Sequence, residues 1–336
     1  MPMMITLVCP TCRQILHATE NAISCPVCGI IIPQTLGIPD LRGARAITSE
    51  VDAHLGAKMT ALYRDLDFAG LLKLRLSNSH ASADLIGYEL GYHLAGVERG
   101  RRMVKMFQAQ LQKYAGAVSY RIALDIGCGT GSGLLALAQS FDLVVGVDPS
   151  LLDLLVALKT VESAGARNVL LVQAYGELLP FADGTFDHIS ILNVLEHILN
   201  LDGILAECRR VLRSGGTLAA DSRNRYDLFL PEPHVKIRWV GLLPRSWAKR
   251  YVRWRKHVGY EGTYLHSFNE LAEALGRHFG RCCRVVFPLV SAYGGPDWCD
   301  RGLAGIQRLP LVAGLLLWVF PSHLVLAWRP PEGNTR

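Results

Sequence analysis

Two groups of residues in this sequence have the spacing needed for chemistry. Residues 9–28 read CPTCRQILHATENAISCPVC, two Cys-x-x-Cys pairs with twelve residues between them. Each pair suits a tight knuckle that aims two thiolates at one ion, and two knuckles complete a tetrahedral four-sulfur zinc site. Pro10 and Pro26 stand at the same place in each pair, and Gly29 follows the last cysteine. Cys9, Cys12, Cys25 and Cys28 are therefore the expected ligands of a zinc ribbon. Four protein ligands leave the ion no open position, so its expected role is structural. The second group is LDIGCGTGSG, residues 124–133, in which an apolar run and an aspartate precede three glycines within five positions. Glycines so placed let a backbone turn sharply and approach a nucleotide.

Spacing narrows the nucleotide. The dinucleotide fingerprint G-x-G-x-x-G would put its third glycine where Ser132 stands, and no lysine follows to make a phosphate-cradling loop. Asp148 ends the next apolar run, LVVGVD, about twenty residues on, where a carboxylate can accept both ribose hydroxyls of an adenosine. The same aspartate, before PSLLDLL, could instead cap a helix.

The elements that must position these residues follow from the pattern. Runs at 122–127, 143–148, 169–175, 188–194 and 217–222 read as strands, with helical stretches between them. That alternation predicts an α/β fold with a doubly wound, mostly parallel sheet, whose ligands bind at the carboxyl ends of the strands. Residues 43–118 have helical spacing and would form a cap between the ribbon (1–42) and the core (119–225). Residues 226–336 would supply a lid, a basic amphipathic helix and the final edge strands, 281–291 with 322–328.

The stretch from 120 to 224 resembles a class I S-adenosylmethionine-dependent methyltransferase. LDIGCGTGSG matches the family's first motif and VVGVDPS the second. ELLPFADGTFDHISILNVLEHI matches the acid-x-LPF segment with its following strand and V-L-E-H, and LAECRRVLRSGG matches the E-x-x-R-V-L helix and turn. The resemblance implies a Rossmann-like seven-stranded sheet whose last strand is antiparallel, with S-adenosyl-L-methionine as cofactor. It implies that Asp125, Gly127, Gly129 and Gly131 line the methionine part and that Asp148 and Pro149 hold the ribose. Asn193 would touch the amino acid moiety. In one place the sequence departs from the family. An aspartate usually follows strand three to meet the adenine amine, whereas here Tyr175 occupies that position, followed by Gly176 and Glu177.

Methyl transfer needs a base when the acceptor carries a proton that must leave. His197, in the V-L-E-H segment, is the first candidate, with a packing or capping role as the alternative; His234 and His266 follow. Asn224, Arg225, Glu232 and His234 lie in the loop after the fifth strand, which either touches substrate or is a proline-broken surface loop. Residues 236–257 hold eight lysines and arginines and no acid. From Ser246 they read as a helix with Trp247, Tyr251, Trp254 and Val258 along one side and Lys249, Arg250, Arg253 and Lys256 opposite or flanking it. Such a helix could be a lid with its aromatics on the core, lie on anionic lipid, or grip a nucleic-acid backbone. Residues 309–328 are apolar, but Pro310, Pro321 and His323 divide them into a short helix and a strand rather than a membrane span.

Length, at 336 residues, suits more than one domain, and 50% hydrophobic residues suffice for a core. The odd count of nine cysteines, with the five beyond Cys28 scattered, argues against a secreted disulfide framework, and the first residues lack a signal-peptide pattern. The expected setting is cytoplasmic, with peripheral contact at the inner membrane surface through 236–257. Three functions stand open: methylation of a small or lipid-linked molecule at oxygen or carbon; RNA methylation, which the zinc module suggests although Arg13 is the ribbon's one fixed cation; and a non-catalytic binding protein.

Overall fold

The computed structural model describes residues 5–19, 22–43, 46–77, 83–116, 119–260 and 262–331. The expected boundary between cap and core, at residue 118, lies outside them. Short strands come first: β1 (His17–Ala18), β2 (Ile23–Ser24), β3 (Ile31–Ile32), β4 (Gln34–Thr35) and β5 (Ile38–Pro39). Helices α1 (Glu50–Ala61), α2 (Phe68–Leu76), α3 (Ala83–Leu94) and α4 (Gly96–Ala115) follow. The core then alternates β6 (Ile122–Ile126), α5 (Leu134–Ala138), β7 (Leu143–Asp148), α6 (Leu151–Ser163), β8 (Val169–Gln173), β9 (Phe186–Ile191), α7 (Leu201–Val211) and β10 (Leu212–Arg223). The C-terminal part holds α8 (Arg245–Lys256), α9 (Phe268–Phe279), β11 (Cys283–Val286), α10 (Asp297–Ile306), α11 (Pro310–Val319) and β12 (Ser322–Trp328).

Strands β6 to β12 form one seven-stranded sheet in the order β11-β12-β10-β9-β6-β7-β8. β12 pairs antiparallel with both β10 and β11, while β10-β9, β9-β6, β6-β7 and β7-β8 pair in parallel. The chain is thus a doubly wound α/β protein with one reversed strand, and the order changes direction between β6 and β9. Pro288, which has no amide hydrogen to give a ladder, follows β11 closely, and the strand is shorter than the expected 281–291.

Each face of the sheet is covered. On one side Ile204, Leu205 and Cys208 of α7 and Leu271 and Leu275 of α9 pack on Leu124, Ile189 and Leu218, and Cys9, Leu16, Cys25, Ile32 and Leu41 of the N-terminal module join the same cluster. On the other side α5 and α6 pack on Ala123 and Val144, and α4 lays Met103, Phe107 and Leu111 against Ala219, Leu324 and Leu326. Full burial of each such side chain stabilises by roughly 1.5–3 kcal/mol. Helices α1 and α2 form a further layer, with Leu55, Met59, Leu71 and Leu72 on Leu155 and Val156 of α6.

Local chemistry sets the element ends. Ser150 caps α6 by accepting the Asp153 amide, Asn200 caps α7, and Ser267 with Glu270 forms a capping box on α9. The E-x-x-R of α7 has a specific task. Glu207 accepts the Leu179 amide at 2.9 Å, while Arg210 donates to the carbonyls of Phe181 (2.7 Å) and Leu179 (3.0 Å). The LPF segment after β8 is therefore held by its own backbone.

Helix α4 approaches the glycine loop through Gly100, where an added Cβ would collide with the Ser132 carbonyl oxygen. Gly100→Ala is expected to destabilise the protein by about 1–3 kcal/mol, as overpacking does. Gly91→Ala, at a helical position with nothing within 4 Å of the new carbon, should be neutral or slightly stabilising. Urea unfolding of the two variants separates them; equal shifts would show that the α4 contact does not constrain the fold.

Candidate active site

The site begins where β6 ends. Gly127, Gly129 and Gly131 all have left-handed φ, at 70°, 50° and 89°. The amides of Gly127 and Cys128 both donate to the Val147 carbonyl, at 2.7 and 3.1 Å, which draws the ends of β6 and β7 together. A Cβ on Gly127 would collide with Val194, so packing as well as φ demands glycine there. A Cβ on Gly129 would meet nothing within 4 Å, so the space on that side of the loop is open.

Asp148 crosses this junction. Its Oδ2 accepts the Gly129 amide at 3.0 Å and its Oδ1 the Ser150 amide at 2.8 Å. The cap of α6 is Ser150, so Asp148 serves the strand ends instead. A carboxylate accepts at about four positions, which leaves about two on Asp148 for further donors. Burial, with the Asp153 charge adding to it, raises its pKa to about 7 against the two amide bonds. Asp125 is buried behind the loop, and its Oδ1 has no hydrogen-bond partner. Burial, and then the charge of Asp148, pushes its pKa up to about 8.

Beyond β7 and β8 lies a cavity of about 350 Å³, bounded by Pro149, Ser150, Gln173 and Tyr175 on the core side. Gln173 braces this wall by donating to the Pro149 carbonyl at 3.0 Å. Gly176 is not part of the opening: a Cβ there would press on Ile126 and Ile204. The facing wall comes from the N-terminal segment, with Asp40, Arg42 and Thr48. Buried Arg42 makes two bonds to the Asp40 carboxylate, at 2.9 and 2.7 Å, and one to Thr48 Oγ1 at 3.0 Å. Asp40, with Tyr175 contributing in the same sense, raises the Arg42 pKa against the effect of burial. The sequence reading did not find Asp40 and Arg42. The available signal was a charged pair in IPDLR at the end of the ribbon segment.

A second group gathers at the ends of β9 and β10. Asn193 takes left-handed φ (54°) and donates its amide to Asp221 Oδ1 at 2.8 Å. For a residue with a Cβ this backbone is strained, which is common at functional sites. Burial raises Asp221 to about 7, and the Glu196 charge adds to it. Glu196 itself is buried, with its pKa raised by burial and Oε2 without a partner. His197 Nδ1 lies 3.1 Å from the Gly262 carbonyl, which can only accept, so Nδ1 carries the proton and Nε2 is left as acceptor. Desolvation lowers the pKa of His197. His234 Nδ1 lies 2.5 Å from Glu232 Oε1, and this bond raises the His234 pKa. Glu232 is fixed in turn by the Val235 amide at 2.7 Å. The two imidazoles meet edge to face, with centroids 5.2 Å apart.

The other candidates lie elsewhere. His266 is buried, with Nε2 on the Leu195 carbonyl at 3.0 Å. Asn224 is buried and clamps the carbonyls of Trp318 and Phe320, and Arg225 holds the carbonyl of Gly241. Glu232 and His234 are thus the members of the 222–235 loop that face the cluster.

The four N-terminal cysteine sulfurs all lie within 4.8 Å of one another. The two knuckles repeat one geometry. Arg13 and Gly29, after the second cysteine of each pair, both have left-handed φ, and their amides donate to the carbonyls of Cys9 and Cys25 at 2.9 Å. The module is fastened to the core by the Val8 amide on Pro180, the Leu41 amide on Gln173 and the Arg13 guanidinium on Leu179, all at 2.8–2.9 Å.

Residues 124–220 match the family model described as a methyltransferase domain. The chain is 34% identical over 194 residues to an uncharacterised 37.1 kDa protein in transposon TN4556 of Streptomyces fradiae, covering 55% of this chain and 50% of that protein. It is 36% identical over 124 residues to methyltransferase GfsG of Streptomyces halstedii, covering 36% of this chain and 43% of that one. It is 35% identical over 99 residues to the demethylmenaquinone methyltransferase of Shouchella clausii strain KSM-K16, covering 29% and 42%. The chain thus spans about half or less of the length of these relatives. With the seven-stranded sheet and the strand-end site in place, residues 124–220 constitute a methyltransferase domain of the class I, S-adenosylmethionine-dependent kind.

Proposed function

We propose that this protein transfers a methyl group from S-adenosyl-L-methionine to oxygen or carbon of a small or lipid-linked acceptor. The observation that carries this reading is the Asp148–Gly129 junction, with open space at the Cα of the glycine and spare acceptor positions on the carboxylate. The residues fit the cofactor. Asp148 retains acceptor capacity for two ribose hydroxyls, the loop is open at Gly129 toward the methionine portion, and the cavity beside Pro149 and Tyr175 suits an adenine. Tyr175 brings no carboxylate to the adenine amine, but Asp40 stands in the same cavity and Gln173 lines it.

When bound, the cofactor supplies an electrophilic methyl group on a sulfonium. The work left to the chain is to hold the acceptor in line, to exclude water and to take a proton where one must leave. His234 is fit for the last task. Glu232 holds its Nδ1, leaves Nε2 as acceptor and stabilises the imidazolium once the proton has moved. His197, neutral at pH 7 because its pKa is lowered, presents a second Nε2 beside it. Arg13, spent on the Leu179 carbonyl, is not spare for a phosphate backbone, which weighs against RNA as the acceptor. The cysteine cluster would hold a structural zinc: Zn–S bonds of about 2.3 Å put tetrahedral sulfurs roughly 3.8 Å apart, compatible with the observed spread.

Calorimetry should find that Asp148→Ala weakens S-adenosylmethionine binding by roughly tenfold or more, the effect of losing hydrogen bonds to a charged group. In the parent protein affinity should fall as pH drops through about 7, because protonation of Asp148 removes an acceptor. A flat profile would remove Asp148 from the ribose site. With labelled cofactor and fractionated cell extract, His234→Ala should lower methyl transfer about 10²–10⁴-fold with cofactor affinity unchanged. Glu232→Gln should move the acid limb of the rate profile to lower pH, because Glu232 raises the His234 pKa. Full activity of His234→Ala would assign the proton transfer elsewhere. Metal analysis should give about one zinc per chain for a four-cysteine site, lost in Cys9→Ser; a value near zero in the parent protein would refute the metal site.

A further inference from the structure

Helix α8 turns the opposite way from a lid. Its inward residues are Ala248 and Val252, packed with Val235, Ile237, Val240 and Tyr260. Its aromatics face solvent: Trp247 is 63% and Trp254 71% exposed, with the Tyr251 ring tilted against Trp254, centroids 6.0 Å apart. The same helix carries Arg245, Lys249, Arg250, Arg253, Arg255 and Lys256 and no acid. Exposed tryptophans on a purely basic helix are not a feature that folding requires, since apolar groups left in water contribute no burial energy to the fold.

The apolar surface continues beyond α8. Helix α11, PLVAGLLLWV, buries none of its residues, and Leu311 and Leu315 are 84% and 74% exposed. Between the two helices run Leu228, Phe229 and Leu230, then Trp239 and Leu242, all exposed. These pieces are bonded to one another. The Leu228 amide meets the Val319 carbonyl at 3.4 Å, Trp239 Nε1 donates to the Leu228 carbonyl at 3.2 Å, and Arg238 donates to the Phe229 carbonyl at 2.8 Å. No described helix is long and apolar enough to cross a membrane, so this surface can lie on a bilayer but not span it.

We infer that α8, the 228–230 loop and α11 form a docking surface for an anionic lipid bilayer. Charge complementarity chooses the occupant. Arg245 is paired with Glu270, and the five cations that follow it on the helix, beside exposed tryptophan and leucine, match the negative surface and apolar interior of an anionic leaflet. Indole rings, apolar with one polar N–H, settle at that boundary. The 226–235 loop leads from the apolar surface directly to Glu232 and His234. An acceptor held in the bilayer would therefore meet the site that the methyltransferase reading places there. Docking itself is independent of that reading.

The test uses the full chain and vesicles of phosphatidylcholine with or without phosphatidylglycerol, read by sedimentation and tryptophan emission. Binding to the anionic vesicles is expected, with a blue shift in emission, and it should weaken with salt. Trp247→Ser with Trp254→Ser should lower binding at least about tenfold, consistent with loss of two buried aromatic groups. Lys249→Glu, Arg250→Glu and Arg253→Glu together should abolish it. Cofactor affinity and far-ultraviolet dichroism should be unchanged in both variants, which separates lost docking from lost folding or a failed active site. Absence of binding to anionic vesicles would overturn the inference. So would salt-sensitive binding of single- or double-stranded RNA, without vesicle binding, that the charge variant abolishes. A concentration-dependent dimer that dissociates in the tryptophan variant, without vesicle binding, would overturn it in favour of a second copy.

Discussion

The bond between the Asp148 carboxylate and the Gly129 amide joins two parallel strands at the point where their chains would otherwise separate into loops. Parallel strands end side by side with no hairpin to link them, so something must fix their carboxyl ends. Here the Val147 carbonyl accepts two amides from the following turn, and Asp148 completes the closure. The arrangement requires left-handed backbone at 127, 129 and 131, and it leaves no room for a side chain at 127 because Val194 fills that space. Val194 in its seat sets the path of Asn193, whose strained backbone reaches Asp221, and the turn 195–197 then delivers His197. The glycine turn and the cluster of Asn193, Asp221 and His197 are thus connected through one packed contact.

The N-terminal module belongs to this machinery. Its backbone bonds to the segment after β8, its buried apolar residues share the α7–α9 cluster, and its last residues face Tyr175 across the cavity. A module with this little secondary structure cannot bury much of its own surface, which is the situation in which a metal cross-link stabilises most. The α3–α4 pair covers the glycine loop from the opposite side, through the close approach of Gly100 and a 3.1 Å contact between His93 and Thr130.

The C-terminal part shows an asymmetry that burial alone does not explain. Toward the core it is well packed, with β12 in the centre of a reversed pair and α9 closing the sheet. Toward solvent it presents tryptophan, leucine and arginine in quantity. The loop between these surfaces holds the Glu232–His234 pair, so the exposed apolar face adjoins that pair.

The sequence by itself determined the strand and helix alternation, the glycine turn and the cysteine knuckles. All three are local: strand period, positive φ and a two-residue spacing are properties of consecutive residues. The reversed final strand was expected from the family resemblance, and the pairing of β12 with β10 and β11 bears it out. What the sequence left open was settled by contacts between distant segments. Whether Asp148 capped a helix or bridged two strands depended on where Gly129 came to lie. Asp40 and Arg42 reached the Tyr175 cavity because the module pairs with the end of β8. Asn224 and Arg225 were drawn into loop clamps while Glu232 and His234 turned to His197. The wheel of α8 gave its aromatic and basic sides correctly, but a wheel has no inside. Only the packing of Ala248 and Val252 decided that the tryptophans face outward, because burial is a property of what surrounds a helix and not of the helix.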